Sequence, residues 1–590
     1  MSRHILDDKA STARPLKRRK VELDFGSSPP RSSPLKHVQT SNQIEVFEDA
    51  PTSPIATDDD TLSDLLEQLQ PFPEPIRKIW TGGTARRVLN RSFGGYDVLS
   101  RGRRGVDHCA DWRSETANFV STPNDVHSFR PGTAIPFCTA SCRTNSLIAI
   151  GDEEGSVRLA DSGRGADFKV PHVSFRIHRN AIMDVAFSSD DYTLATASGD
   201  QTARMIDMHT QQTMCVLTGH SSSVKQVRFQ PNDDNMVTTS SRDGTVQIWD
   251  LRCAERGSVQ SLGLRMRRQI TQDGDLEPSV RYARNTIRVG GAHRSSKGSG
   301  TKSPSTQNSE DSSVSITAIE HIPNGREHLL LTASELNASV KLWDLRNASR
   351  RDPAPVSCTP VPQLHRRTRN YGISSLALSG DGARLYTLCK DATIYAYSTN
   401  HLILGNAPEM SASPARRRAL KVPKMSCGPL YAFKHPLLVT STFYVKLALR
   451  PARNDRSELL AVGSGTGSPI LFPTDERHMP HQYPQASNRN VLDDEEDELS
   501  VSPSTKREAS TYLPVHERGT PLIRGHAKEV TSLSWSHDGE LVTISDDWNA
   551  RCWRENPEKA REMRRCGEGG GQRWAHGWAE VEGEWDEDDC

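Results

Sequence analysis

The chain has 590 residues, and its 74 Lys and Arg are balanced by 74 Asp and Glu, so the formal net charge is zero. Hydrophobic residues make up 35%, and the 40 glycines bring the apolar share to about 42%, below the ~45–50% usual for globular domains. Because a large globule buries more of its surface than a small one, this shortfall predicts that part of the chain is disordered. No apolar run is long enough for a membrane-spanning helix, and the polar start of the chain argues against a secretory signal.

The eleven cysteines are scattered, with no CxxC pair and no Cys/His cluster at zinc spacing. In the absence of a secretory signal they are predicted to be thiols in a reducing compartment, with structural or incidental roles. The sequence therefore predicts no metal site and no cofactor.

Residues 1–75 are rich in Ser, Pro and charge and poor in aromatics, which predicts a disordered region. Within it, Lys17, Arg18, Arg19 and Lys20 form a basic cluster of the kind that nuclear import receptors bind. The alternative is a solvated run of charge. On the import interpretation the protein is expected in the nucleus.

A repeated pattern of short strands begins near residue 76. In its clearest copy, Gly219-His220 is followed by alternating apolar and polar runs and closes on Trp249-Asp250. Alternation of this kind predicts half-buried strands. A Gly-His pair about 30 residues before a Trp-Asp pair is the WD-repeat signature, in which each repeat forms one four-stranded propeller blade.

Buried polar groups must find partners, so the histidine, a strand hydroxyl, the turn Asp and the Trp indole of each repeat are expected to form a hydrogen-bonded relay. The turn Asp stands six residues before the Trp, as in Asp243 and Trp249, and this offset recurs in copies ending near 161, 207, 250, 344, 397, 472 and 553. Seven copies predict an all-β, seven-bladed WD40 β-propeller over residues 76–556. The predicted relay residues are His178, Asp200, His220, Asp243, Asp391, His526, Asp547 and Trp553.

Uneven spacing of the copies predicts low-complexity insertions at about 253–312, 350–370, 400–437 and 473–520, which we interpret as loops leaving the blades. Residues 557–590 are predicted to be a short acidic tail with tryptophans, either an interaction segment or disordered. No P-loop, GxSxG, HExxH or dinucleotide-binding motif stands in its required context, so the protein is predicted to be an interaction platform and not an enzyme.

Two successive repeats end in the same tetrapeptide, Trp249-Asp250-Leu251-Arg252 and Trp343-Asp344-Leu345-Arg346. The Trp-Asp part has a structural explanation, whereas the arginine lies past the strand and is expected to be exposed. A guanidinium offers a planar fork of donors and a stacking face to a partner. The alternative is a pair of surface arginines with no partner.

These WDxR pairs, together with the stretches GDQTAR (199–204), YGISSL (371–376) and STFYVK (441–446), resemble the denticleless family of WD-repeat substrate receptors for cullin-4 RING ubiquitin ligases. The resemblance spans about 137–554. It implies a nuclear, non-catalytic receptor that docks on the damage-specific DNA-binding adaptor through Arg252 and Arg346, with Asp250, Asp344, Trp249 and Trp343 in the same motifs. It also implies degron-bearing substrates presented on the DNA-loaded sliding clamp.

The resemblance does not extend to a clamp-binding box, because the residues after Trp553-Arg554 contain none. Two other functions stay open at this point. One is a ligase-independent nuclear scaffold for chromatin or replication assembly. The other is direct nucleic-acid binding by the basic insertion 253–312, although its excess of positive charge is slight for a phosphate-binding surface.

Overall fold

The computed structural model describes residues 111–129, 134–253, 281–283, 287–289, 292–293, 314–347, 354–366, 371–404, 424–453, 456–479, 513–565, 575–581 and 585. All of them belong to one of the chain's two units, Lys78–Cys590; the other is Met1–Arg77. The predicted disordered region 1–75, with Lys17, Arg18, Arg19 and Lys20, lies outside the described residues.

The first half of the chain contributes two early strands and blades 1 to 3. The early strands are β1 (Phe119–Ser121) and β2 (Val126–Ser128). Blade 1 consists of β3 (Pro136–Ser141), β4 (Leu147–Asp152), β5 (Ser156–Asp161) and β6 (Val173–Arg176). Blade 2 consists of β7 (Ile182–Phe187), β8 (Thr193–Ser198), β9 (Thr202–Asp207) and β10 (Gln212–Thr218). Blade 3 consists of β11 (Val224–Gln230), β12 (Asp233–Ser241), β13 (Val246–Asp250) and β15 (Ile287–Val289), and β14 (Arg281–Ala283) precedes its last strand.

The second half contributes blades 4 to 7. Blade 4 consists of β16 (Ile316–His321), β17 (Leu329–Ser334), β18 (Lys341–Asp344) and β19 (Ser357–Cys358). Blade 5 consists of β20 (Ile373–Leu378), β21 (Arg384–Cys389), β22 (Thr393–Ser398) and β24 (Tyr431–Phe433), with β23 (Lys424–Met425) before the last. Blade 6 consists of β25 (Leu447–Arg450), β26 (Leu459–Val462), β27 (Ile470–Pro473) and β29 (Thr520–Ile523), with β28 (Val515–His516) before the last. Blade 7 begins with β30 (Val530–Trp535), β31 (Leu541–Ser545) and β32 (Asn549–Glu555), and β33 (Gly577–Ala579) follows.

Helices are few and short in the described part of the chain. The α-helices are Arg113–Thr116, Gln363–Arg366, Thr399–Leu404 and Pro557–Arg565. The 3-10 helices are Pro123–Asp125, Leu251–Cys253, Leu345–Asn347 and Glu476–His478.

The seven blades close into a ring around a central channel. The first strand of each blade contacts the first strand of the next, and β30 of blade 7 contacts β3 of blade 1. Within each blade the strands run antiparallel in order from the channel outward. The N-terminal strand β1 completes blade 7 by pairing with β32, Phe119 opposite Glu555. The prediction of a seven-bladed WD40 β-propeller is confirmed.

Apolar side chains pack between neighbouring blades, where two sheets face each other. Trp249 of blade 3 lies in a buried cluster with Ala195 and Ala197 of blade 2 and Val227 of its own blade. Each blade thus buries one face against the blade before it, as sheets must when they are apolar on one side.

The insertions predicted to be loops contain strands that complete or extend blades. Strand β14, from the insertion after β13, pairs with β10 of the preceding blade. Strands β23 and β28 likewise pair back onto β19 and β24 of the blades before their own. Each added strand has only two or three residues and pairs with a distant strand, so no local periodicity signals it.

The predicted tail 557–590 also joins the propeller in part. Strand β33 lies between the outer strands of two blades, with Ala579 opposite Leu522 of β29 and Trp578 opposite Val120 of β1. Trp578 is buried with Val120 and with Met563 of the helix Pro557–Arg565. The ordered fold therefore extends past the predicted boundary at 556, because an apolar strand here covers two sheet edges.

Candidate functional site

In blade 3 the relay joins four side chains. His220 Nδ1 lies 3.1 Å from Asp243 Oδ2, and its Nε2 lies 2.8 Å from Thr239 Oγ1. The indole of Trp249 donates to the same hydroxyl at 2.9 Å. Blade 7 repeats this arrangement with His526, Thr543, Trp553 and Asp547.

In blade 2, His178 lies 2.8 Å from both Asp200 Oδ2 and Thr196 Oγ1. No indole joins it, because Ile206 stands where blades 3, 4 and 7 have Trp. Burial alone would raise the pKa of Asp200, but the hydrogen bond with His178 and its charge hold that pKa well below the usual range.

Asp243 and Asp547 show the same balance in blades 3 and 7. Burial opposes ionisation of each carboxyl, but the hydrogen bond with the relay histidine and the further hydrogen bonds together outweigh burial, and the pKa of Asp547 falls to about 2. Burial lowers the pKa of His178 and of His526. The relay histidines thus lie inside the fold and are hydrogen-bonded to side chains of their own blades.

Blade 5 builds its relay from the predicted Asp391 and two residues that the sequence analysis did not single out, His365 and Tyr395. His365, from the helix Gln363–Arg366, places Nε2 2.6 Å from Asp391 Oδ2, and the Tyr395 hydroxyl donates to the same oxygen at 2.8 Å. Tyr397, which occupies the Trp position, is buried but is not part of this set of bonds. The histidine precedes Asp391 in the same order as in the other repeats, but no glycine precedes it to mark it.

Blade 4 has the same hydroxyl and indole with a different turn residue. His293 Nε2 and Trp343 Nε1 both lie 2.9 Å from Thr332 Oγ1. Asn337 replaces the turn Asp, and its buried Oδ1 has no hydrogen-bond partner among the described residues. Lys341 Nζ donates to the Ala292 carbonyl at 2.8 Å. Burial, and then the nearby Lys341 ammonium, lower the pKa of His293 to about 3.

Arg252 lies in a short 3-10 helix just after β13 and is hydrogen-bonded to the aspartate of its own motif. Its Nε lies 2.9 Å from Asp250 Oδ1, its Nη2 lies 3.2 Å from Oδ2, and its backbone N donates to Oδ1 at 3.0 Å. A second carboxylate, Asp233, lies 3.3 Å from Nη2. The side chain is still 56% exposed.

Arg346 repeats this geometry after β18. Its Nε and Nη2 lie 3.1 Å and 3.2 Å from the two carboxylate oxygens of Asp344, and its backbone N lies 3.0 Å from Oδ1. The hydrogen bond from Arg346 lowers the pKa of Asp344. The side chain is 66% exposed. Each motif therefore presents an exposed guanidinium that is already fixed in orientation by its own Asp.

The repeat pattern predicts the two tryptophans of these motifs as relay members, and the family resemblance also includes them in the docking motifs. Trp249 and Trp343 are buried and donate to hydroxyls inside their blades. A buried indole cannot contact a partner, so this part of the predicted docking site is corrected: the tryptophans anchor the strand from which each arginine projects.

Both arginines lie at the same end of their strands. Each follows the third strand of its blade, on the end where the first strand leads into the second. We call this side of the propeller the arginine face. The relay turns, such as the one at Asp243, lie at the opposite end, which we call the turn face.

The described part of the chain has no group of three or more His, Cys, Asp or Glu side chains arranged to hold a metal ion. Nor is any helix in those ranges long and apolar enough to cross a membrane.

Residues 169–207, 211–250 and 519–554 match the family described as "WD domain, G-beta repeat". The first two segments run from the last strand of blade 1 through blade 2 to the third strand of blade 3, and the third runs from the last strand of blade 6 into β32 of blade 7.

Three similar proteins cover most of this chain. "Cell division cycle protein cdt2" of Schizosaccharomyces pombe is 29% identical over 435 residues, which are 72% of this chain and 69% of that protein. "Denticleless protein homolog B" of Xenopus laevis is 27% identical over 70% of this chain, and "Denticleless protein homolog" of Homo sapiens is 26% identical over 75%. The match spans about half of these two animal proteins, 46% and 50%.

Proposed function

The chain is a denticleless-type WD-repeat protein, and on this premise we propose that it is a non-catalytic substrate receptor of a cullin-4 RING ubiquitin ligase. Its propeller would dock on the ligase's damage-specific DNA-binding adaptor, itself built from propellers. The receptor would contribute proximity, which raises the effective concentration of a substrate near the ubiquitin-transfer machinery without adding chemistry of its own.

The observation that carries the proposal is the matched pair of arginine forks. Arg252 and Arg346 sit on adjacent blades, on the same face, each held by the two oxygens of its own Asp and each more than half exposed. A guanidinium whose rotamer is already fixed loses less conformational freedom on binding, which favours a partner with facing acceptors.

The test is binding of the purified adaptor to the Arg252→Ala/Arg346→Ala variant. We expect at least a hundredfold loss of affinity for the double variant and about tenfold for each single one, because buried charge-assisted bonds at an interface are strong. Arg326→Ala is the matched control, since Arg326 is an exposed arginine in the turn between β16 and β17, on the same face. Wild-type affinity in a folded double variant would show that the adaptor does not dock on these residues.

We further propose that the substrates are degron-bearing replication proteins bound to the DNA-loaded sliding clamp, such as the licensing factor and inhibitors of cyclin-dependent kinase or ribonucleotide reductase. Degradation assays in replication extracts, with clamp loading blocked in one arm, test this point. Turnover of the substrate only in extracts with loaded clamp and functional receptor is the expected result.

A nuclear scaffold that works without a ligase is the second candidate. It would be favoured if immunoprecipitates of the wild-type protein lacked the adaptor while retaining chromatin or replication assembly factors. A salt-dependent gel shift that disappears on deletion of 253–312 would instead favour nucleic-acid binding.

We propose the nucleus as the site of action, with Lys17, Arg18, Arg19 and Lys20 as the import signal. Replacing the four by alanine is expected to move a fluorescent fusion out of the nucleus, while alanines at Arg101, Arg103 and Arg104 serve as the basic control.

A further inference from the structure

The turn face, opposite the arginine face, carries lysines that stack on aromatic rings. Lys225 Nζ, on the first strand of blade 3, lies 5.5 Å from the ring centroid of Tyr444, and Lys390 Nζ lies 4.3 Å from that of Phe443. Phe137 of blade 1 meets Tyr444 edge to face at 5.6 Å. Tyr444 nevertheless remains 39% exposed. We call Lys225, Arg242, Lys390, Phe443 and Tyr444 the cationic cluster.

The positive charge in this cluster is not neutralised by carboxylates. In the described part of the chain neither Lys225 nor Lys390 forms an ion pair, and Arg242 is exposed. Burial and the nearby Arg242 lower the pKa of Lys225, and Glu335 is the acid that partly offsets them. A half-buried ammonium held against an aromatic ring is attracted to an incoming anion that restores a full counter-charge.

Lys446, which directly precedes β25 of blade 6, is half-buried and adds to the same positive field. Burial lowers its pKa to about 8, with Asp184 opposing and Lys225 and Arg228 reinforcing the shift. Its Nζ donates to the Ser374 carbonyl at 2.9 Å. The channel below the cluster contains the acids Asp184 and Glu320, and both are paired with Arg228.

Blades 7 and 1 give the other side of the turn face the opposite sign. Burial, and then Glu529, raise the pKa of Asp546; the Lys528 ammonium opposes this shift, and Glu153 of blade 1 adds to it. We call Glu153, Glu529 and Asp546 the acidic cluster. Ser441 donates to Glu529 at 2.7 Å. One short segment, Ser441 to Tyr444, therefore touches the acidic cluster at one end and the cationic cluster at the other.

We propose that the turn face binds an extended peptide that carries an acidic side chain toward the cationic cluster, a basic side chain toward the acidic cluster and an apolar side chain over Tyr444. A nucleic acid fits this surface less well, since its phosphates would be repelled by Glu153, Glu529 and Asp546. The arginine face would then bind the adaptor, and the turn face would bind the peptide. The identification of this peptide with a degradation substrate rests on the proposed function, whereas the binding itself does not.

The test is selection from a displayed library of random twelve-residue peptides on the immobilised full chain. We expect enriched peptides to carry an acidic and a basic residue at a fixed separation, with an apolar residue between them. For the best selected peptide, made synthetically, Lys225→Glu/Lys390→Glu should weaken binding at least tenfold. The same peptide with its acidic residue changed to lysine should regain affinity for that variant.

Three variants keep the outcome interpretable. Arg143→Glu/Arg326→Glu makes the same change of charge at two exposed arginines on the arginine face and should leave peptide affinity unchanged. Tyr444→Ala should weaken binding, and Tyr444→Phe, which keeps the ring, should restore it. Each variant is first checked for wild-type thermal unfolding.

The proposal is overturned if no peptide is enriched, or if the Lys225→Glu/Lys390→Glu variant binds the selected peptide as the wild type does. It is also overturned if no peptide is selected and the wild-type protein instead binds a fluorescent oligothymidylate that the Lys225→Glu/Lys390→Glu variant no longer binds. Failure of adaptor binding with peptide binding intact would reject the ligase function alone. Intact adaptor binding without peptide binding would reject this surface alone.

Discussion

Blades 3 and 4 carry the same Trp-Asp-Leu-Arg motif, but their relays contain opposite charges at two different positions. Asp243 of blade 3 corresponds to Asn337 of blade 4, six residues before the Trp. Gln247 donates to the Gly219 carbonyl at 2.9 Å, and Lys341 donates to the equivalent Ala292 carbonyl at 2.8 Å. One relay therefore contains a carboxylate, and the other an ammonium.

The hydroxyl at the centre of the relay is nevertheless bonded identically. Thr239 and Thr332 each accept an indole N–H at 2.9 Å and lie within 2.9 Å of a histidine Nε2. The geometry of the blade thus depends on the hydroxyl, indole and imidazole, whereas the turn residue and the residue two before the Trp set the charge. The two blades should consequently differ in stability and in their response to pH.

The largest effect is expected from Asp243→Asn. This carboxylate accepts from the Ser221 and Thr245 backbones and pairs with His220, and bonds to a charged group are worth about 1.5–3 kcal/mol each. We expect a loss of about 2–3 kcal/mol in local stability, measured by hydrogen exchange over 237–250. Unchanged protection there would mean that the carboxylate adds nothing beyond an amide.

The second largest expected effect is a loss of stability of blade 4 at acidic pH. Unfolded histidine binds a proton below about pH 6.5, whereas burial and Lys341 keep His293 unprotonated until about pH 3. Protons therefore favour the unfolded state between these values, and at pH 5 the loss is about 2 kcal/mol. Burial also lowers the pKa of His321 in this blade, to about 4, which adds to the effect.

Hydrogen exchange corrected for intrinsic rates, compared at pH 7 and pH 5, measures this change. Protection over 316–347 should fall more than protection over 224–250. An equal fall in the two blades would contradict the charge difference as its cause.

Asn337→Asp should reverse part of this sensitivity. A carboxylate at the turn position would stabilise protonated His293 and pair with Lys341. The pKa of His293 should therefore rise, and the stability lost at pH 5 should shrink by about 1 kcal/mol. Asn337→Ser is the control, since it changes the side chain without adding charge. If both substitutions act alike, charge is not the reason.

The smallest effect concerns how firmly each arginine is held. Arg252 has two carboxylates, Asp250 and Asp233, whereas in the described ranges Arg346 is ion-paired with Asp344 alone. A side chain that is free before binding must be immobilised on binding, which costs about 0.5–1.5 kcal/mol. Asp344→Asn, which frees Arg346, should therefore weaken adaptor binding about threefold. Asp250→Asn should have less effect, because Asp233 still holds Arg252. Titration calorimetry of both variants gives the comparison, and a larger effect at Asp250 would contradict it.

The repeat offsets were enough to predict the seven blades, since each copy carries its own periodicity and turn. They could not reveal β14, β23, β28 or β33, because strands of two or three residues are defined by the distant edge they cover. Equally, the tetrapeptides predicted two exposed arginines, but Asp233 as a partner of Arg252 depends on how β12 and β13 align. Blade 5 shows a third limit: His365 reaches its relay from a helix, outside the Gly-His pattern.

The position of β33 has a consequence for how the protein is made. Strand β1 needs β32 and β33 as neighbours, and these are synthesised about 430 to 460 residues later. At about 5–20 residues per second, β1 must wait roughly 20–90 s on the ribosome with its edge unpaired. During that interval the nascent chain exposes unpaired strand edges on an incomplete propeller, and such edges are bound by chaperones. Assembly with any partner is therefore left to the completed polypeptide.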